Sequence, residues 1–155
     1  MQTDLKSLLN NVAEVQLSYK SKVPASQRPQ LRCSGDAHRV LQSVWDMDTI
    51  ELQESFMILL MNRANRIIGV YKLSHGGITG TVTDVRLIFI AALKSAACSI
   101  ILAHNHPSGN LTPSDADKSI TKMILEAGKL LEIKVLDHII LSSDGYFSFA
   151  DEGMI

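Results

Sequence analysis

Apolar positions recur along the chain with two alternating periods. Residues 4–18 carry Leu5, Leu8, Leu9, Val12 and Val15 at a weak helical spacing, which the two prolines of "SKVPASQRP" then interrupt. "SGDAHRVLQSVWD" predicts a first core helix, with Val40, Leu41, Val44 and Trp45 on one face and Ser34 or Asp36 as N-cap. "SFMILLMN" is apolar on both alternating faces, the pattern of a central strand covered on two sides. "RIIGVYKLS" follows across the turn-like "NRAN" as its hairpin partner. Glycines in "HGGITGTVTD" mark turns and leave room for a short strand, and Thr83 or Asp84 can cap a helix carrying Leu87, Ile88, Ala91, Ala92 and Leu93. The alternation continues with strand "CSIILAH", helix "PSDADKSITKMILEAGKLLEI" with Gly128 near its end, strand "KVLDHIILSS", the turn "SDG" and "YFSFAD". Helices alternating with strands predict α/β layering around a mixed sheet. Residues 1–35 read as an N-terminal helical extension and linker, and residues 36–155 as the domain proper.

Composition narrows the class. A chain of 155 residues fits one domain and can bury a core without disulfides or a structural metal, so folding need not explain any metal site. No apolar run approaches the roughly 20 residues of a membrane span, and the N-terminus lacks a basic start followed by an apolar stretch, so a cytoplasmic setting without membrane contact is expected. Cys33 and Cys98 form no C-x-x-C, and Cys98 is expected as a small buried residue. A net charge of −1 offers no global attraction to nucleic acid. Val15 to Gly35 is the local exception, with Lys20, Lys22, Arg28 and Arg32 and no acid. It is either a solvated connector or a nucleic-acid contact.

The chemistry concentrates in "AHNHPSGNLTPSDAD", Ala103 to Asp117. On a strand, His104 and His106 share a side with α-carbons roughly 6.6 Å apart, so two imidazoles can converge on one ion. A catalytic zinc site uses three protein ligands plus water, so a third ligand is needed. Pro107, Gly109 and Pro113 reverse the chain, and Ser114 then opens a helix whose first turn carries Asp117 back toward the histidines. Ser114-x-x-Asp117 is also a capping-box pattern, and Asp115 could serve the helix dipole in place of Asp117. A water on such an ion needs a proton acceptor. Glu54 stands at the mouth of the apolar strand "SFMILLMN", with Glu51 as a rival farther out in a helix-to-strand loop.

His104-x-His106, seven residues, Ser114, two residues, Asp117 and an upstream glutamate together resemble the JAMM (MPN+) metalloprotease motif. "HNHPSGNLTPSDAD" and "LLEIKVLDHIIL" resemble its bacterial RadC-like branch, and the similarity runs from about Asp36 to Glu152. The resemblance implies a three-layer MPN/JAB fold, a mixed sheet flanked by helices and similar to cytidine deaminases. It further implies Zn²⁺ held by His104, His106 and Asp117 plus water, Glu54 as general acid/base, and Ser114 steadying a tetrahedral oxyanion. His138 in "LDHIIL" fits the family pattern either as a residue orienting a ligand or as a structural strand histidine, while His38 and His75 read as structural.

The activity so implied is hydrolysis of an amide or isopeptide bond in a peptide substrate that the residues do not identify. Zinc deaminase chemistry lacks its H-x-E and P-C-x-x-C set here, and H-E-x-x-H is missing too. The alternative is a RadC-like accessory protein for DNA repair that binds DNA or a partner without turnover. Residues 1–35 are too short and differently composed for the helix-hairpin-helix of longer relatives, which weakens that alternative. Leu87 also stands after Arg86 where relatives often have an acid. Substrate choice is expected to lie in loops such as 74–80.

Overall fold

Ser55–Met61 forms β1, buried at every position as its two-faced apolar pattern requires. The computed structural model describes residues 21–76 and 83–155, so the helix expected at 4–18 and the glycines of 77–80 lie outside the described residues. β1 is second in a five-stranded sheet of order β2-β1-β3-β4-β5, with β2 Ile67–His75, β3 Ser99–Asn105, β4 Lys134–Leu141 and β5 Tyr146–Ser148. All neighbours are antiparallel except β3 and β4. The β1–β2 turn is organised by Asn62, whose Oδ1 accepts from the amides of Ala64 and Arg66 at 3.0 Å each. Asn65 takes the left-handed conformation there, φ 54°, which asparagine tolerates better than most residues.

Strand alternation divides the core. Met57, Leu59, Ile101, Ala103 and Ile139 face α1 (Ser34–Val44) and meet Leu41 and Trp45. Phe56, Ile58, Leu60, Ile100 and Leu102 face α2 (Val85–Lys94) and α3 (Asp115–Leu130) and meet Ile88, Phe89, Ala92 and Ile124. The chain thus adopts the expected three-layer α/β architecture with a mixed sheet. Buried Leu31 joins the α1 side, where Gln30 forms a bridge to Arg66. α3 closes tightly on β4 because Gly128 lacks a side chain: a Cβ there would stand 2.5 Å from the carbonyl oxygen of Ile133. No helix among the described residues is long and apolar enough to cross a membrane.

Two sequence expectations are corrected. The N-cap of α1 is Cys33, without a side-chain bond, rather than Ser34 or Asp36. Ser34 is drawn away to donate to the Asp151 carboxylate, and Asp36 turns back to accept from the Arg32 amide at 2.8 Å. Cys98 is exposed rather than buried, because β3 starts one residue later, at Ser99. Its backbone is nevertheless tied down, the amide donating to Met61 at 2.8 Å and the carbonyl accepting from Lys134 at 3.1 Å. α2 is capped as expected by Asp84, which accepts from the Arg86 amide at 2.9 Å.

Candidate metal centre

The cluster is assembled where β3 runs out. His104 pairs with Phe56 across the sheet and stacks on its ring, on the face covered by α2 and α3, with only 1% of its surface exposed. His106 lies just past the strand, but its amide still bonds the Leu141 carbonyl at 3.0 Å, so the extended path continues. The chain then reverses through Gly109 at φ 77°, whose amide bonds the His106 carbonyl at 3.0 Å. Ser114 caps α3, and Asp117 in the first turn faces both imidazoles.

His104 Nε2 lies 3.0 Å from His106 Nε2 and 3.0 Å from Asp117 Oδ1, and His106 Nε2 is 3.4 Å from Asp117 Oδ2. One ligand atom from each residue can be chosen with all of them within 4.8 Å of one another, so the group could hold a metal ion. Ligands about 2.0–2.1 Å from a tetrahedral zinc stand about 3.3 Å apart, close to the 3.0–3.4 Å separations here. Proton bookkeeping points the same way. His106 Nδ1 is 2.5 Å from the Asn110 carbonyl, which can only accept, so Nδ1 carries the hydrogen and Nε2 presents a lone pair. Burial raises the Asp117 carboxyl, but hydrogen bonds from the protonated forms of His104 and His106, the charge of protonated His104 and a bond from Ser114 outweigh it and hold the group ionised well below the usual range. Lone pairs converging at these distances repel unless a cation stands between them. The hydrogen bond to Asp117, foremost, raises the His106 imidazole against the opposing effect of burial, so a proton is drawn to the same place.

Capping and ligation are not rivals at Asp117. Its Oδ2 accepts from both the amide and the hydroxyl of Ser114 at 2.7 Å, completing a capping box, while Oδ1 faces His104. Asp115 is fully exposed, with Lys118 Nζ 3.8 Å away.

Glu54 is the last residue before β1 and is partly buried, whereas Glu51 is exposed in a turn. Burial, the largest influence, raises the Glu54 carboxyl; His104 and His106 oppose the rise and Asp117 adds to it, so Glu54 lies within the electrostatic reach of the cluster. Asn105 holds it there. This fully buried residue accepts from the Ser55 amide at 2.7 Å and donates to the carbonyls of Ile50 at 2.7 Å and Gln53 at 2.9 Å. One side chain on the histidine strand therefore clamps the segment that carries the glutamate.

His138, on β4, is fully buried with Nε2 2.8 Å from His104 Nδ1. Burial, and then repulsion from His104 when that ring is protonated, hold its imidazole well below the ordinary value. Thr121, which the motif does not include, bonds His138 Nδ1 at 2.6 Å and the Asp117 carbonyl at 2.5 Å. Its signal in the sequence is only its place one helical turn after Asp117. His38 is elsewhere, stacked on Tyr146 with centroids 4.3 Å apart on the α1 side.

A family model described as "RadC-like JAB domain" matches residues 31–154. Among curated relatives, a "UPF0758 protein" of Flavobacterium johnsoniae is 46% identical over 126 residues, covering 81% of this chain and 53% of the relative. One of the same printed name from Porphyromonas gingivalis is 39% identical over 140 residues, 90% of this chain and 62% of the relative. Another, from Chlorobaculum parvum, is 42% identical over 105 residues, 68% and 47% of the two chains. The chain thus spans about half the length of the curated relatives it matches.

Proposed function

The chain belongs to the RadC-like JAB domain family, and on that premise we propose that it is a zinc-dependent hydrolase of the JAMM type that cleaves an amide or isopeptide bond. The observation that carries the reading is the convergence of His104 Nε2, His106 Nε2 and Asp117 at the spacing of a small divalent cation, with a partly buried glutamate beside them. Zn²⁺ held by these three residues would supply Lewis acidity toward a carbonyl oxygen and toward a water molecule.

The remaining work falls to side chains. Glu54, whose carboxyl is raised by burial, takes a proton from the attacking water and passes it to the leaving nitrogen. Ser114 donates its hydroxyl to the developing oxyanion. In the resting arrangement that hydroxyl is committed to Asp117 Oδ2, so it must rotate. The carboxylate keeps the Ser114 amide as donor when it does.

Glu54→Gln tests the assignment. With fluorogenic amide and lysine-isopeptide probes, the variant should lose about 10²- to 10⁴-fold in kcat while binding zinc as wild type does. Undiminished cleavage would remove Glu54 from the reaction. A wild-type protein that binds no zinc on titration would remove the hydrolase reading altogether.

A further inference from the structure

Behind His104 runs a buried hydrogen-bonded chain that starts at one side chain of the cluster and ends on the backbone of another: His104 Nδ1 to His138 Nε2, His138 Nδ1 to Thr121 Oγ1, and Thr121 Oγ1 to the Asp117 carbonyl. We propose that this chain determines which nitrogen of His104 carries the proton, which makes His138 and Thr121 positioning residues of the centre. The inference rests on the metal reading above, and it concerns two residues that touch neither the cation position nor a substrate.

The direction of every bond follows from the far end. A backbone carbonyl can only accept, and two oxygens 2.5 Å apart repel unless a proton lies between them, so the Thr121 hydroxyl donates to Asp117. Thr121 therefore meets His138 Nδ1, 2.6 Å away, with a lone pair, and Nδ1 must bear the hydrogen. A second proton on His138 would place a charge on a ring with no exposed surface, neither of whose nitrogens meets a carboxylate. His138 is thus neutral, and its Nε2 accepts from His104 Nδ1 at 2.8 Å. As the neutral ring, His104 then keeps a lone pair on Nε2, the atom aimed at His106 and Asp117. The reverse order would aim an N–H at the cation.

The chain also spans three elements: His104 is on β3, His138 on β4, and Thr121 and Asp117 on α3. The same bonds that set the tautomer therefore set the distance between His104 and Asp117. Partners behind a ligating histidine act this way in general, and their loss typically lowers metal affinity about 10- to 100-fold.

Two measurements on the full chain test the proposal without turnover. Side-chain ¹⁵N NMR of the metal-free protein, at a pH about two units above the ordinary imidazole value, should show the His104 and His138 protons on Nδ1. Thr121→Val should move the His104 proton toward Nε2 and weaken Zn²⁺ binding, read by competition with a chelating dye, about 10- to 100-fold. Thr121→Ser should preserve both readouts. The proposal is overturned by a wild-type His104 protonated on Nε2, or by a Thr121→Val protein with wild-type tautomer and affinity. Should Thr121→Val fail to fold, the wild-type tautomer decides alone. Weaker zinc binding in Thr121→Val with no cleavage by the wild type overturns the hydrolase reading only. Wild-type cleavage with unchanged affinity in Thr121→Val overturns the chain only.

Discussion

Asp117 at the start of α3 and Asp137 within β4 are both withdrawn from water, and their surroundings push them in opposite directions. Asp137 is 4% exposed and meets neutral donors: the Ser148 hydroxyl at 2.6 Å and the amides of His138 at 2.7 Å and Ala150 at 2.9 Å. Burial is the largest influence there and raises its carboxyl in spite of those bonds. Asp117 also suffers desolvation, but two imidazoles and a capping serine reverse the outcome. Burial alone therefore does not mark a functional carboxylate; the charge of its neighbours does. One aspartate ties the β5 corner to β4, and the other faces an electron-rich cluster that a cation would complete.

The comparison breaks most visibly at Asp117. Asp117→Asn keeps the shape but removes the charge, and zinc affinity should fall by more than the about 100-fold expected from losing an outer partner. Asp137→Asn should leave affinity unchanged. Equal zinc binding by both variants in isothermal titration would mean that Asp117 is only a cap.

Next in size is stability at the other aspartate. Asp137→Ala strands the Ala150 amide and the Ser148 hydroxyl, at a cost of about 1–3 kcal/mol, and should lower the denaturation midpoint while the folded protein still binds zinc. An unshifted midpoint would show that the corner holds without it. Ser114→Ala removes one cap bond, worth about 1 kcal/mol. Under the hydrolase reading it should also lower kcat, because the oxyanion donor is gone; full activity would leave Ser114 as a cap alone.

The smallest effect is a slope. The folded Asp137 carboxyl lies above the ordinary value of 3.8, so the native state holds its proton more tightly than the unfolded chain does. Stability from this group is greatest below 3.8 and declines as pH rises through the raised value. In metal-free protein the folded Asp117 value is lowered, so its contribution is present above 3.8 and is lost as pH falls. Urea midpoints across the acid range should therefore change slope with opposite signs in Asp137→Asn and Asp117→Asn. Changes of the same sign would refute the contrast between the two sites.

How much of this was legible beforehand depended on range. His104, His106, Ser114 and Asp117 lie within one strand, one turn and one helix start, so period and turn chemistry alone bring them near one another. Layering was legible for the same reason: the two-faced run of β1 requires cover on both sides. The Asn105 clamp was not, because it depends on how the strand of His104 meets the loop before β1, and both hydrogen bonds and register are set across the sheet. Thr121 was hidden because nothing in its neighbours announces that His138, on another element, will stand over it. At Cys98 a single residue of strand boundary, the step from connector to strand, decides exposure. At the start of α1 a carboxylate distant in sequence, Asp151, competes for the Ser34 hydroxyl, and no local pattern signals it.

The parallel pairing of β3 with β4 also has a kinetic side. His104 stands opposite Ile140 in that register, and all of α3 lies between the two strands in the chain. The β1–β2 hairpin closes across a short turn, whereas this pair must close a long crossover before its contacts repay the lost chain entropy. His104, His138 and Asp117 can meet only once that crossover is in place. On the zinc reading, tight metal binding during refolding would follow that closure and serve as its clock.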